Sequence, residues 1–251
     1  MALLVGLLLP SLSLVRETAH RVVCQSNLRQ VGLGLALYAD DYGEALPPSV
    51  FRPLVGDSSP SEMDTLRLSD DEAPLYHGSP NTARSPGPVK PAWTWDGLGR
   101  LIHWGYLPAP KLFYCPSHRG EQTFRRHASL FGEYRSELDR RITSNYHYRG
   151  VGPNGARTLW RVQPSDSSLV SDALRSQADI NHEGGFNVLR ADLSLVWLSD
   201  PANQIFALLP SEAPPGSGGG GPSSSSANDP ANRGIEEAWQ ALDTSDASEG
   251  G

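Results

Sequence analysis

Apolar residues recur every three or four positions in the first part of the chain, up to residue 42. Five of them follow a 3, 4, 3, 4 spacing and so share one face of an α-helix: Leu28, Val31, Leu35, Tyr38 and Tyr42. Gly43 ends this pattern, and two prolines soon after it prevent the helix from continuing. We therefore predict an amino-terminal helix of about 40 residues that packs its apolar stripe onto the rest of the protein.

Residues 1–15 are apolar and uncharged, with the sequence MALLVGLLLPSLSLV. A helix that spans a bilayer needs about 20 such residues, so this segment is too short to span alone. One interpretation is a buried amino-terminal helix. The other, which we expect, is the second part of a membrane or filament helix whose first part would precede Met1.

Five short runs downstream predict β-strands, because they are rich in aromatic and branched apolar residues. They cover residues 144–148, 159–162, 168–172, 186–190 and 195–199. The last two runs are separated by only four residues, which favours a hairpin. An antiparallel sheet of these strands would cover the helix stripe. The predicted fold class is α+β: a long amino-terminal α-helix packed on a small antiparallel β-sheet, with long loops that include most of residues 44–92 and one short helix near residues 63–68.

The net charge of −7 is carried almost wholly by residues 210–251, which hold seven acidic residues and one arginine. Gly, Pro and Ser dominate the same segment, which is typical of a flexible tail. A helix over residues 235–242 would be too short to hold alone. We therefore predict three parts: a partial membrane or filament helix (1–15), a head (16–209) and a disordered acidic tail (210–251). With no basic face, nucleic acid is not an expected partner.

An acidic cluster follows the predicted helix, where Asp40, Asp41 and Glu44 crowd its carboxyl end. That position is unfavourable for negative charge because of the helix dipole. A bound calcium ion would compensate for it, since calcium prefers oxygen ligands. A solvated acidic turn is the simpler interpretation, and no other cofactor is expected.

The cysteines and the aromatic residues each allow two interpretations. Cys24 and Cys115 would form a disulfide if the chain is exported, and they would otherwise be two thiols. The middle of the chain is dense in aromatic residues: Trp93, Trp95, Trp104, Tyr106 and Phe113. These form either a small core of large side chains or a surface that binds a glycan or peptide.

The stretch RVVCQSNLRQVGLGLALYADDYGEALPPS, together with the later run LGRLIHWGYLPAPKLFYCPS, resembles a known family. The chain is similar to type II secretion pseudopilin-like proteins, and more narrowly to a bacterial group with a prepilin-type cleavage and methylation segment and an H-x9-D-G motif. The resemblance implies a structural subunit of a type II secretion or type IV pilus-like assembly, with no catalysis. It implies an inner-membrane anchor, a periplasmic or extracellular head, and other pilin-like subunits as partners.

The chain departs from that family at two places. His182 and Asp192 match the H-x9-D part of the motif, but Leu193 replaces the glycine. Glycine would permit a positive φ in the hairpin turn, so we expect a longer or differently built turn here. A catalytic or ligating pair is one interpretation of His182 and Asp192, and a structural hydrogen bond is the other. The cleavage segment is absent before Met1, so we expect a truncated amino terminus.

Overall fold

The structure is a computed structural model that describes residues 2–52, 58–69, 72, 94–131, 140–212 and 229–245, with side chains from Val15 onwards. Helix α1 runs from Ala2 to Asp41, the length predicted from the apolar spacing. It ends where Gly43 adopts a φ of 61° and the amide of Glu44 donates to the carbonyl of Ala39 at 2.6 Å. A left-handed residue that lets a later amide bond back into the last turn is a common helix terminus.

Among the described residues, two antiparallel sheets follow α1 where one was predicted, and the predicted α+β class is confirmed. The smaller sheet pairs β1 (Thr65–Arg67) with β2 (Ile142–Thr143). The larger sheet has the order β3-β4-β5-β6. Its strands are β3 (Tyr146–Tyr148), β4 (Ser168–Asp172), β5 (Gly185–Arg190) and β6 (Leu195–Ser199). The described residues after α1 also include the α-helices α2 (Gly99–His103), α3 (Phe124–His127) and α4 (Pro230–Thr244).

The larger sheet lies between α1 and α4. Its side chains point alternately into two apolar clusters, one that includes α1 and one that includes α4. Leu189 of β5 packs with the inner face of α1, whereas Phe186 and Val188 pack with α4. The backbone of α1 lies very close to the sheet, since a Cβ at Gly32 would be 3.0 Å from Leu189. The alternation follows from the two-residue period of a strand, and it leaves both faces of the sheet covered.

Three sequence predictions were wrong in detail. Residues 159–162 hold a 3-10 helix (Leu159–Arg161) instead of a strand, and residues 63–68 contain β1 instead of a helix. The sequence of a short apolar run does not distinguish a strand from a helix, so tertiary contacts determine which of the two forms. The third concerns the carboxyl-terminal segment, which was predicted to be disordered throughout.

Helix α4 occupies residues 230–244 of that segment and is an ordered part of the head. Four of its residues are fully buried against the sheet and the loops around it: Ile235, Ala238, Trp239 and Leu242. Asp229 caps the helix by accepting from the amide of Ala231 at 2.9 Å. The helix is stable because distant residues supply its apolar partner, which a local estimate of helix stability leaves out. Residues 213–228 and 246–251 of the predicted tail lie outside the described residues.

Candidate functional site

One face of α1 is joined to the head from Glu17 to Tyr38. Leu28, Val31, Leu35 and Tyr38, which the spacing placed on one stripe, are all buried in the main apolar cluster. Tyr42, the fifth member of the stripe, differs because its side chain is 40% exposed and stacks on Tyr38 with ring centroids 4.3 Å apart. Tyr42 is less covered because it lies beyond the last residue of α1, where the chain begins to turn.

A disulfide links this face of α1 to the head, which resolves the alternative that the sequence left open. Cys24 and Cys115 are bonded, and their Cα atoms lie 5.2 Å apart. Both residues are buried. Asn145 holds the segment around Cys115 in place, because its side-chain oxygen accepts from the Cys115 amide at 2.6 Å. The bond closes a loop between residues 91 positions apart and fixes α1 to the segment that follows the 3-10 helix Pro110–Phe113.

A chain of polar side chains surrounds the disulfide. His182 Nε2 lies 3.3 Å from Cys115 Sγ, and its Nδ1 lies 2.5 Å from Glu17 Oε1. The other carboxylate oxygen of Glu17 accepts from Ser117 Oγ, which in turn contacts His20. Partial burial raises the pKa of Glu17, but the hydrogen bonds from His182 and Ser117 outweigh it and hold the pKa below its ordinary value. Glu17 therefore stays ionised and orients the His182 ring.

Two further groups enclose His182. The indole of Trp197 meets the His182 ring edge-on at 5.9 Å, and the guanidinium of Arg21 lies over that indole at 4.5 Å. A carboxylate oxygen of Asp172 lies within 4.8 Å of a His182 ring nitrogen, and this carboxylate accepts from Asn181 and from both the amide and the side chain of Asn187. Burial raises the pKa of Asp172, although these hydrogen bonds and the nearby His182 oppose the shift.

The two motif residues His182 and Asp192 have separate roles. Asp192 lies in the β5–β6 turn, where its carboxylate accepts from the amide of Ser194 at 2.8 Å. Leu193, in the same turn, has a φ of 66°. Its amide donates to the carbonyl of Arg190 at 3.0 Å, as in a three-residue hairpin loop that ends on a left-handed residue. Leu193 therefore adopts in this turn the positive φ that favours glycine.

This turn gives a prediction about Leu193. Because a residue with a Cβ is strained at positive φ, Leu193→Gly should be more stable than Leu193→Ala by about 1 kcal/mol. Both variants lose the side chain, so their difference reports the backbone alone. Urea unfolding of the two variants measures it. At an ordinary strand or helix position alanine is the more stable residue, and that order at position 193 would contradict the assigned turn.

The opposite face of α1 carries apolar residues that the described head does not cover. Val15, Val22, Leu33 and Leu37 lie within about 60° of one another around the helix axis. With the adjacent Val23, their side chains are between 46% and 65% exposed. We call these five residues the outer stripe. A run of exposed large apolar side chains along four turns or more is typical of a helix that meets another surface.

Comparison with protein-family profiles identifies the family to which the chain belongs. The profile described as "Protein of unknown function (DUF1559)" matches residues 14–170, which is more than half of the chain. The chain belongs to the DUF1559 family. This family is associated with proteins that have a prepilin-type amino-terminal domain. Searches of curated proteins and of solved structures gave no match.

The DUF1559 match covers α1 from residue 14, the disulfide, β1 to β3 and the first three residues of β4. Strands β5 and β6, both motif residues and α4 lie beyond it. The shared region thus contains the disulfide and part of the apolar partner of α1, whereas His182, Trp197 and the β5 residue Leu189, which also contact α1 or its side chains, lie beyond it. Among the described residues, none of the helices is both long enough and apolar enough to cross a membrane.

The acidic residues at the end of α1 do not form a group of potential metal ligands in the part of this DUF1559 protein that the structure describes. Asp40, Asp41 and Glu44 are all exposed, and Asp41 accepts a hydrogen bond from the hydroxyl of Tyr106 at 2.5 Å. Only one group of at least three potential metal ligands occurs among the described residues, and it is the group around the disulfide: Cys24, Cys115, Asp172 and His182.

The aromatic residues divide between core and surface. Phe113 is fully buried, Trp95 and Tyr106 are half-buried, and Trp104 is 47% exposed. Trp104 lies beside Tyr42, with ring centroids 6.2 Å apart, so the end of α1 carries a small exposed aromatic surface. Trp93 lies outside the described residues.

Sequence reasoning missed Glu17, Arg21 and Trp197. A signal for Glu17 was present, because it precedes Cys24 by seven residues and so lies on the same helix face two turns earlier. Its contact with His182 joins residues 165 positions apart, and no local pattern indicates such a pair. Of the outer stripe, the sequence indicated only Val15 and Val22, which continue an apolar stripe beside the first, and not Leu33 and Leu37.

Proposed function

We propose that this DUF1559 protein is a structural, pseudopilin-like subunit of a type II secretion or type IV pilus-like assembly, and that it performs no catalysis. The outer stripe is the observation that carries this proposal. It would pack against the α1 helices of neighbouring pilin-like subunits. The amino-terminal part of the helix would anchor the subunit in the bacterial inner membrane, and the head would lie in the periplasm or outside the cell.

Two properties of α1 support this role. Its inner face is fixed to the head by the disulfide and the buried stripe, so a force on the head would pass directly to the helix. Its outer face presents Val22, Leu33 and Leu37 to solvent in the isolated chain. Burying such side chains between subunits contributes about 1.5–3 kcal/mol for each residue that becomes fully buried. The association of the family with prepilin-type domains is consistent with the same role.

Charged substitutions in the outer stripe test the proposal. Leu33→Glu and Leu37→Glu should each reduce the amount of protein that pellets with filaments sheared from producing cells by at least tenfold, because a carboxylate is costly to bury between helices. Trp160→Glu is the matched control, since Trp160 is 53% exposed and lies outside α1. Equal pelleting of all three variants, at equal thermal stability, would contradict the proposal.

A binding module is the second candidate function, favoured by the exposed aromatic surface. Tyr42 and Trp104 present adjacent rings to solvent, and Asp41 beside them offers an acceptor for hydroxyl groups. Such a surface would hold a sugar ring or an aromatic peptide side chain. Retention of the protein on immobilised glycan, and its loss in Trp104→Ala with an unchanged melting temperature, would support this function over assembly.

A further inference from the structure

The group around the disulfide has the composition of a zinc site whose two sulfur ligands are bonded to each other. Cys24, Cys115, Asp172 and His182 each offer one ligand atom, and these atoms all lie within 4.8 Å of one another. Four ligands around a tetrahedral Zn²⁺ are separated from each other by roughly 3.3–3.8 Å, given zinc–ligand distances near 2.0–2.3 Å. Side-chain movements of about an ångström would therefore bring the set to that geometry.

The two ligands other than sulfur are already oriented as in metal sites. A histidine that ligates a metal through one ring nitrogen usually donates the other N–H to a carboxylate. His182 has this arrangement: Glu17 accepts from Nδ1, and Nε2 faces Cys115 Sγ at 3.3 Å. Asp172 is held by Asn181 and Asn187 in a comparable way. All four side chains are buried, so water competes weakly for the metal.

We propose that reduction of the Cys24–Cys115 disulfide converts this group into a zinc site in which Cys24, Cys115, His182 and Asp172 bind one Zn²⁺. Two thiolates, one imidazole and one carboxylate form a donor set that suits zinc. In the oxidised chain neither sulfur can act as a thiolate, so the site is closed. The same two cysteines would join α1 to the head in both states, through a covalent bond or through the metal.

Reduction of the disulfide and binding of zinc require only the chain, a dithiol reductant and Zn²⁺. A dithiol reductant supplies two electrons and two protons, which break the S–S bond and leave thiols at Cys24 and Cys115, while the dithiol becomes a disulfide. Zn²⁺ then displaces the two thiol protons, which pass to solvent. His182 contributes its Nε2 lone pair, and Glu17 keeps the proton on Nδ1.

The experiment compares zinc uptake by the full chain in its two redox states. A phosphine reductant with one water gives the two thiols and a phosphine oxide, and the reductant is removed before ZnCl₂ is added. The folded reduced chain should bind one Zn²⁺, measured by competition with a chromogenic chelator, and the oxidised chain should bind none. Co²⁺ in place of Zn²⁺ should give the thiolate charge-transfer band of a tetrahedral cysteine site.

Three variants test whether zinc binding depends on the residues of this group. His182→Ala should weaken binding at least 100-fold, because it removes a ligand. Glu17→Gln keeps all four ligands and should weaken binding about 10- to 100-fold through the lost orientation of His182. His103→Ala, which lies outside the group, should bind as the unmodified chain does. Failure of the folded reduced chain to bind Zn²⁺ would overturn the proposal, and so would equal affinity in His182→Ala. Glu17→Gln gives the same test if His182→Ala does not fold.

Discussion

Replacing both cysteines, as Cys24→Ala with Cys115→Ala, should lower the free energy of unfolding by about 4 kcal/mol. The reason is that the bond connects residues 91 positions apart, so its removal gives the unfolded chain much more conformational freedom. Both sites are buried, and the substitution also removes the contact of Cys115 Sγ with His182 Nε2 at 3.3 Å. Guanidinium unfolding of the variant against the oxidised chain measures the effect.

The reduced, metal-free chain is the control for this prediction. It lacks the bond but keeps both sulfur atoms, so it should lose nearly the same free energy of unfolding as the double variant. If the double variant were destabilised by less than about 1 kcal/mol, the disulfide would not be what fixes α1 to the head. The buried stripe of Leu28, Val31 and Leu35 would then suffice alone.

Trp239→Ala should lower the free energy of unfolding by about 3–5 kcal/mol, the range for a large aromatic side chain removed from a core. The ring of Trp239 is fully buried in the cluster that α4 forms with the sheet, and the guanidinium of Arg149 lies 5.7 Å from its centroid. Thermal and urea unfolding of the full chain measure the loss.

Glu237→Ala is the matched control, because Glu237 is exposed on the same helix. It should change stability by no more than about 0.5 kcal/mol. If Trp239→Ala were equally mild, α4 would contribute little to the head. The segment after residue 210 would then behave as the tail that its composition predicted.

The sequence predicted α1 and most of the larger sheet because a short stretch of sequence carries the signal for each. Runs of aromatic and branched apolar residues placed β4 and β6 at their observed residues, and the apolar spacing with Gly43 placed the end of α1. Helix α4 was missed although Ile235, Ala238, Trp239 and Leu242 have helical spacing. An isolated two-turn helix is unstable, and the groove that stabilises it is built from residues such as Phe51 and Leu174, far away in sequence.

The candidate site was predictable only in part, because most of its contacts join residues that are far apart in the sequence. The pairing of Cys24 with Cys115 needed only two cysteines and an oxidising compartment. The position of His182 beside that bond, and of Glu17 beside His182, depends on how α1 crosses the sheet. The apolar residues of the outer stripe are present in the sequence, but only the structure identifies which face of the helix the head does not cover.

The measurement that tests the central claim most directly is photo-cross-linking from the outer stripe in producing cells. A benzophenone amino acid placed at Val22 or at Leu37 should give adducts that contain a second copy of this chain or a pilin-like subunit. The same group at Trp160, which is also exposed but outside α1, should give none. Identical adduct patterns from all three positions, or monomer alone from all three, would contradict the assignment of this helix face to subunit assembly.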